Sequence, residues 1–288
     1  MEARHLEITA QTGLLAVLGH PVGHSLSPRM HNAAFRAQDV DMIYVAFDVP
    51  PERLASAVEG LRALGMRGAN VTVPHKETVV SLVDEVAPLA ARIGAVNTIV
   101  NDQGRLSGYN TDVTGFLSAL RSVTAGGARG LRCLVAGAGG AARAVVAGLS
   151  EDGASEIWIH NRTIGRAEAL CETAAEWGRS ACEAVTDEDL IERVQAADLL
   201  VNATSVGLAR TIKESAIPVD IVGSRQVVMD VIYGPRPTAL VAAAKAKGAA
   251  VLDGREMLVM QAAGSYRLWT GLQPPIETMR ESLELGRR

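Results

Sequence analysis

The run LVAGAGGAARAVVAGL (134–149) admits few folds. It opens inside LRCLVAG (131–137), an apolar stretch of the kind a parallel strand shows when both its faces are covered. Gly137, Gly139 and Ala142 follow in G-x-G-x-x-A spacing, and then a helical pattern begins. The first glycine permits a tight turn, the second lets backbone approach a pyrophosphate, and a small third residue lets helix and strand pack closely. The helix N-terminus then faces negative charge. The same spacing also occurs in plain tight turns. The strand before it and the helix after it favour a dinucleotide here.

The next strand, EIWIHN, selects the nucleotide. Asp or Glu at its end would accept from ribose hydroxyls. This chain has Asn161, Arg162 and Thr163 there, with Arg166 one helical turn on. A carboxylate would repel a 2′-phosphate, whereas a guanidinium offers it paired donors. A helix cap with surface arginines is the plainer alternative; the absent carboxylate favours NADP(H).

Around this loop, apolar runs alternate with helical patterns: a helix over about 163–177, ADLLVNAT, QVVMDV, PTALVAAAKAKG and AAVLD. Such alternation predicts a parallel sheet with right-handed crossovers. The 288 residues suffice for two domains. Aromatics are 3%, so both cores must be built from Ala, Val, Leu and Ile, which suits α/β layers. The fold class expected is α/β in two domains. Residues 1–110 with 254–288 form an N-terminal α/β substrate domain to which the C-terminal helices return, and 111–253 form a Rossmann-like NADP domain.

Net charge is −4 without basic runs or a base-stacking array, which argues against nucleic acid as a partner. No apolar stretch approaches the ~20 residues of a membrane span. The start, MEARHLEITAQTG, lacks the apolar centre of a signal peptide. Cys133, Cys171 and Cys182 are odd in number and match no metal box, so a reducing cytoplasm, no disulfide and no metal are expected. Nothing in the sequence separates a monomer from a homodimer.

The first half reads strand, helix, strand, helix, strand: LLAVLG, SPRMHNAAFRAQ, IYVAFDV, PERLASAVEGLRALG and GANVTV. AVNTIV and RLSGY then pair across the turn NDQG. Ser25 and Ser27 precede a helix with Pro28 in its first turn; two hydroxyls and free amides make a seat for a small carboxylate, though Ser27 could equally cap the helix. NVTVPHK (70–76) ends a buried strand at Pro74 and places Lys76 just beyond it. GAVNT and GYNTD put Asn-Thr at strand ends, and Asp112 opens a helix. Ser25, Ser27, Thr72, Lys76, Asn97 and Asp112 thus stand at or near the ends of successive elements, where open α/β sheets bind ligands. A set rich in hydroxyl and amide groups suits a small polyhydroxylated acid.

These motifs, with GAGGAARA, NRT, NATSVG, DVIYGPRPT and MLVMQA, run in the order of the shikimate/quinate dehydrogenase family, which the chain resembles over nearly its whole length. The resemblance implies NADP-dependent interconversion of 3-dehydroshikimate and shikimate, a step of aromatic amino acid biosynthesis, with quinate or an aminoshikimate as the alternative substrate. It implies that Ser25 and Ser27 bind the substrate carboxylate, and that Thr72, Asn97 and Gln261 hold ring hydroxyls with Tyr233 nearby. Lys76 and Asp112 would be the catalytic pair. Gly137, Ala138, Gly139, Gly140, Ala141, Asn161, Arg162, Thr163, Arg166 and Thr204 would hold NADP, and Gly254 and Met257 would lie by the nicotinamide. Val113, Arg255 and Glu256 depart from the commoner family residues at the cleft.

Overall fold

The computed structural model describes residues 7–177, 180–208, 211–234 and 236–284. Met1–Leu6 of the N-terminal segment, Pro235 of DVIYGPRPT and Leu285–Arg288 at the C-terminal end lie outside them. The chain divides into two compact units, Met1–Thr111 with Leu258–Arg288, and Asp112–Met257.

The first unit opens with β1 (Gly13–Gly19), α1 (Ser27–Ala37), β2 (Met42–Asp48), α2 (Leu54–Ala63) and β3 (Gly68–Val71). β4 (Glu85–Val86), α3 (Pro88–Ile93), β5 (Thr98–Asp102) and β6 (Arg105–Tyr109) follow. The strand order is β2-β1-β3-β5-β6-β4. β2, β1 and β3 run parallel; β5 lies antiparallel to both β3 and β6. The hairpin β5–β6 turns on Gln103 and Gly104, whose φ of 53° and 92° are the left-handed pair that a two-residue hairpin loop requires. Ala16, Leu18, Leu61, Ala69, Val71 and Ile99 belong to one aliphatic core, as the low aromatic content demands.

The second unit contains α4 (Asp112–Arg121), β7 (Arg132–Ala136), α5 (Gly140–Asp152), β8 (Glu156–His160), α6 (Ile164–Ala175), β9 (Ala181–Val185) and α7 (Leu190–Ala196). β10 (Leu199–Asn202), β11 (Val227–Asp230), α8 (Ala239–Ala246) and β12 (Ala250–Leu252) complete its sheet. The order β12-β11-β10-β7-β8-β9 is parallel throughout. This is the doubly wound arrangement, with its switch point between β7 and β10. α9 (Gly254–Thr270) and α10 (Ile276–Glu284) close the described chain.

Four local expectations change. Ser27 does not cap α1: Leu26 holds the cap position with no side-chain bond, and Ser27 is already helical. A capping side chain needs non-helical backbone to reach the first-turn amides. The helix expected from Pro51 begins as a 3-10 turn, Pro51–Arg53, before α2. The third strand ends at Val71 rather than Val73, although Thr72 N–H still donates to Leu18 O at 2.9 Å. The pair β9 and α7 went unread: β9 is a five-residue edge strand of ACEAV, and α7 has only seven residues.

On the buried face of α1, His31 is fully buried in an aromatic cage. Its ring stacks on Tyr44 at 4.5 Å and lies 5.3 Å from Trp269 and 6.1 Å from Phe35. Neither ring nitrogen has a hydrogen-bond partner among the described residues. Burial therefore holds its pKa down at about 3, against an ordinary 6.5. Between those two values the unfolded chain binds a proton at His31 that the folded chain refuses. Folding free energy is accordingly lost as pH falls through that window, by up to about 1.4 kcal/mol per pH unit. In His31→Phe, urea titrations across the same window should show a pH slope shallower by about that amount; an unaltered slope contradicts the assignment.

Candidate active site

In the first unit, polar side chains gather behind the ends of β3, β5 and β6. Asn97, 2% exposed, is their hub. Its Oδ1 accepts from the Thr111 amide at 2.8 Å and from the Thr98 hydroxyl at 3.0 Å. Its Nδ2 donates to Thr111 Oγ1 at 3.0 Å and, at 3.4 Å, to Gln261 Oε1. Asn70 continues the network: Nδ2 donates to Asn97 O, Thr98 Oγ1 and Ser265 Oγ, while Oδ1 accepts from the Tyr44 hydroxyl at 2.7 Å. A buried network satisfied in this way rigidifies its members, whereas a half-satisfied one costs stability. α9 supplies Gln261 and Ser265 one turn apart, and Gly264 admits its approach, since a Cβ there would stand 3.0 Å from Thr111 Cγ2.

The segment carrying Lys76 is held by its backbone. His20 N–H donates to Val73 O, Val96 N–H donates to Lys76 O at 2.8 Å, and the His75 ring hydrogen-bonds Val49 O at 2.7 Å. The His20–Pro21 and Val73–Pro74 bonds are both cis. Gly19 lets this segment approach β1 closely: a Cβ there would lie 2.4 Å from Thr72 Cγ2, so a larger residue would displace the Thr72 side chain. Thr72 and Lys76 are each half-buried at this strand end. Ser25, also half-buried, accepts from the Ser27 amide at 3.3 Å, and Ser27 is 6% exposed.

In the second unit, Gly137 adopts φ +115°, and a Cβ on it would stand 2.9 Å from Ala203 O. β7 and β10 therefore close on each other at the switch point only with glycine there. Gly139 precedes α5 as an uncapped, extended residue, and open space surrounds its Cβ position. The first-turn amides of α5 have no intrahelical acceptor. A backbone cradle with room above it and a helix N-terminus below fits a pyrophosphate.

After β8, Asn161 is half-buried and Arg162, Thr163 and Arg166 are exposed. Asn161 Nδ2 donates to Thr163 O at 2.8 Å. Thr163 occupies the cap of α6, but its hydroxyl makes no capping bond, so it is not consumed by helix formation. Two guanidinium groups and a hydroxyl, with no carboxylate among Asn161–Thr163, fit a ribose 2′-phosphate.

Thr204 is set by groups the sequence analysis did not single out. Asn202 Oδ1 accepts from the Thr204 hydroxyl at 2.7 Å, and Asn202 Nδ2 donates to Asp230 Oδ1 at 3.0 Å. Asp230, fully buried, also accepts from Ile232 N–H and the Thr238 hydroxyl. Burial pushes its carboxyl above the ordinary value, and these hydrogen bonds oppose that shift. Asn70, Thr98, Thr111 and Ser265 were likewise passed over as functional residues. The available signal was Ser265 four residues after Gln261, hence on one helix face.

The remaining residues divide between the units. Asp112, 5% exposed, is the first residue of α4 in the second unit, whereas Lys76 belongs to the first. Tyr233, half-buried, follows β11 in the second unit, whereas the hydroxyl cluster around Asn97 belongs to the first. Gly254 packs so closely that a Cβ would stand 2.2 Å from Val231 O, and Met257 joins the core of the second unit. Of the departures from the family pattern, Val113 is buried, and Arg255 donates to Gly234 O at 2.8 Å, tying down the loop after β11.

Three family models match the chain. They are described as "Shikimate dehydrogenase substrate binding domain" over residues 17–99, "Shikimate / quinate 5-dehydrogenase" over 120–237 and "Shikimate 5'-dehydrogenase C-terminal domain" over 254–284. A shikimate dehydrogenase (NADP(+)) of Moorella thermoacetica is 47% identical over 276 residues, covering 95% of this chain and 93% of its own. One from Methanopyrus kandleri is 46% identical, covering 96% and 97%. The crystal structure of shikimate 5-dehydrogenase from Thermus thermophilus in complex with NADP(H) and shikimate superposes with a TM-score of 0.83 at 42% identity, covering 95% and 99%. With its glycine cradle, its buried hydroxyl and amide cluster and similarity along nearly the whole sequence, this chain belongs to the shikimate dehydrogenase family.

Proposed function

We propose that this chain catalyses the NADP-dependent, reversible reduction of 3-dehydroshikimate to shikimate. The first unit binds and turns over substrate, and the second holds the cofactor. The observation that carries the reading is the buried cluster around Asn97, which offers hydroxyl and amide groups at strand ends beside the segment of Lys76. The printed names of the relatives support it: they are shikimate dehydrogenases (NADP(+)), and the Thermus structure contains both NADP(H) and shikimate. The enzyme works in the cytoplasm as a monomer or homodimer. The reducing compartment rests on the sequence, whose three cysteines are odd in number and match no metal box. Among the described residues, no helix is long and apolar enough to cross a membrane.

Ser25, Ser27 and the first amides of α1 take the substrate carboxylate. Thr72, Asn97 and Gln261 hold the ring hydroxyls, with Tyr233 beside them. In the reduction, negative charge grows on the carbonyl oxygen. Lys76 donates to that oxygen and supplies its proton, as a compact cation on a flexible stem can. Asp112 orients the ammonium and accepts from a substrate hydroxyl. Its placement is supported by the chain itself: it directly follows Thr111, which is bonded to Asn97 through backbone and side chain. Gly137–Ala141, Asn161, Arg162, Thr163, Arg166 and Thr204 hold the nucleotide, and Gly254 and Met257 border its nicotinamide. The nicotinamide cofactor, when bound, carries the hydride, which leaves no step that needs a metal.

Lys76→Ala should lower turnover about 10²-fold or more, while NADP affinity, measured by fluorescence titration, stays within about three-fold because Lys76 lies outside the nucleotide's contacts. Near-normal turnover would remove Lys76 from the mechanism. Arg162→Ala with Arg166→Ala should weaken NADP by about 10- to 100-fold, the worth of one or two charge-assisted hydrogen bonds, and leave NAD almost unaffected. Equal losses for both nucleotides would place the 2′-phosphate elsewhere. Steady-state rates on shikimate and quinate, each with NADP and NAD, test the whole reading. The highest kcat/KM is expected for shikimate with NADP, and a preference for quinate or NAD refutes it.

A further inference from the structure

α6 and the edge strand β9 set two thiols side by side in the second unit. Cys171 lies in α6 and Cys182 in β9, eleven residues apart in the chain, with Cys182 Sγ 2.9 Å from Cys171 Sγ. Both are half-buried, packed against the core of the unit yet partly open to solvent. Cys133 differs: it is fully buried, and its Sγ is turned toward Leu131 O at 3.7 Å.

The spacing discriminates between the uses of such a pair. Two thiolates sharing a tetrahedral zinc, each about 2.3 Å from the metal, stand about 3.7 Å apart. The observed pair is closer than that, and among the described residues no group of three His, Cys, Asp or Glu could hold a metal. Two free thiols this close, on packed neighbouring elements, need little movement to bond.

We propose that Cys171 and Cys182 are a modification site, which hydrogen peroxide converts into an intramolecular disulfide pinning α6 to β9. The Cys171 thiolate attacks one peroxide oxygen, so that an S–O bond forms and the O–O bond breaks. The departing hydroxide takes up a proton as water, and Cys171 is left as sulfenic acid. The Cys182 sulfur then attacks Cys171 Sγ. The S–S bond forms, the S–O bond breaks, and the hydroxyl leaves with the Cys182 proton as a second water. Two thiols are oxidised and one peroxide is reduced.

The order of attack follows from the hydrogen bond. Cys182 donates to Cys171, which favours the Cys171 thiolate and lowers its pKa, while burial, Glu183 and Glu168 oppose the shift. The same bond, with burial, raises Cys182. Burial pushes Cys133 up as well and keeps it unreactive. The inference concerns a site distinct from the proposed chemistry and does not rest on it.

The test uses the whole protein, with thiols counted by Ellman's reagent and mapped by mass spectrometry. Of the three thiols, peroxide should consume two, with loss of two hydrogen atoms and a Cys171–Cys182 linked peptide. The unfolding midpoint should rise by about 5 °C or more, because the cross-link restricts the unfolded chain. Dithiothreitol should reverse both changes. In Cys182→Ser, dimedone should trap sulfenic acid at Cys171, with no rise in the midpoint. Three thiols left intact, consumption of Cys133, a linkage between molecules, or an equal midpoint rise in Cys182→Ser would each overturn the proposal.

Discussion

The second unit depends on one approach of backbone to backbone. Gly137 lies so near Ala203 O that no Cβ fits, and its φ of +115° excludes other residues on conformational grounds as well. Its N–H donates to His160 O at 2.8 Å, so the ends of β7, β8 and β10 are fastened at a single residue. Most of what is proposed for the nucleotide hangs from those three ends. The N-terminus of α5 follows β7, Asn161–Thr163 follow β8, and Thr204 follows β10. Parallel order makes this possible, because it brings all the carboxyl ends to one edge.

The first unit reaches its polarity by another route. Its sheet is mixed: β2, β1 and β3 run parallel, β5 reverses direction beside them, and β4 runs parallel to β6 at the far edge. That reversal brings Asn97 and Thr98 next to Asn70, where α9 adds Gln261 and Ser265. An apolar core would have been simpler to pack. The buried amides and hydroxyls persist because each finds a partner, and the bonds among them hold the cluster in one arrangement. In the second unit, Asp230 plays the corresponding part for Thr204, reaching it through Asn202.

Legibility followed the range of the interactions. LLAVLG and LRCLVAG read as buried strands because burial on both faces demands unbroken apolar residues. NDQG read as a hairpin turn because its geometry needs glycine or its substitutes at positive φ. β9 and α7 escaped because an edge strand half in solvent alternates and a seven-residue helix shows barely two turns. The capping alternative for Ser27 falls away because residue type indicates only a preference for that role, while the backbone of the residue itself decides it, and Ser27 is already helical. Spacing along the chain gave no hint that Cys171 and Cys182 touch, since eleven residues separate them and a helix-to-strand crossover joins them.

By itself, the sequence determined the two α/β layers, the glycine loop, the preference for a phosphorylated ribose and the family. Each of these is written in local pattern, namely periodicity, turn chemistry and motifs a few residues long. Tertiary structure alone decided the partners of Asn97 and Asn70, the role of Asp230 behind Thr204 and the meeting of the two thiols. The Asn97–Gln261 contact joins residues 164 positions apart. Such contacts are set by how sheets and helices pack, and packing sums many weak interactions that no short stretch of chain encodes.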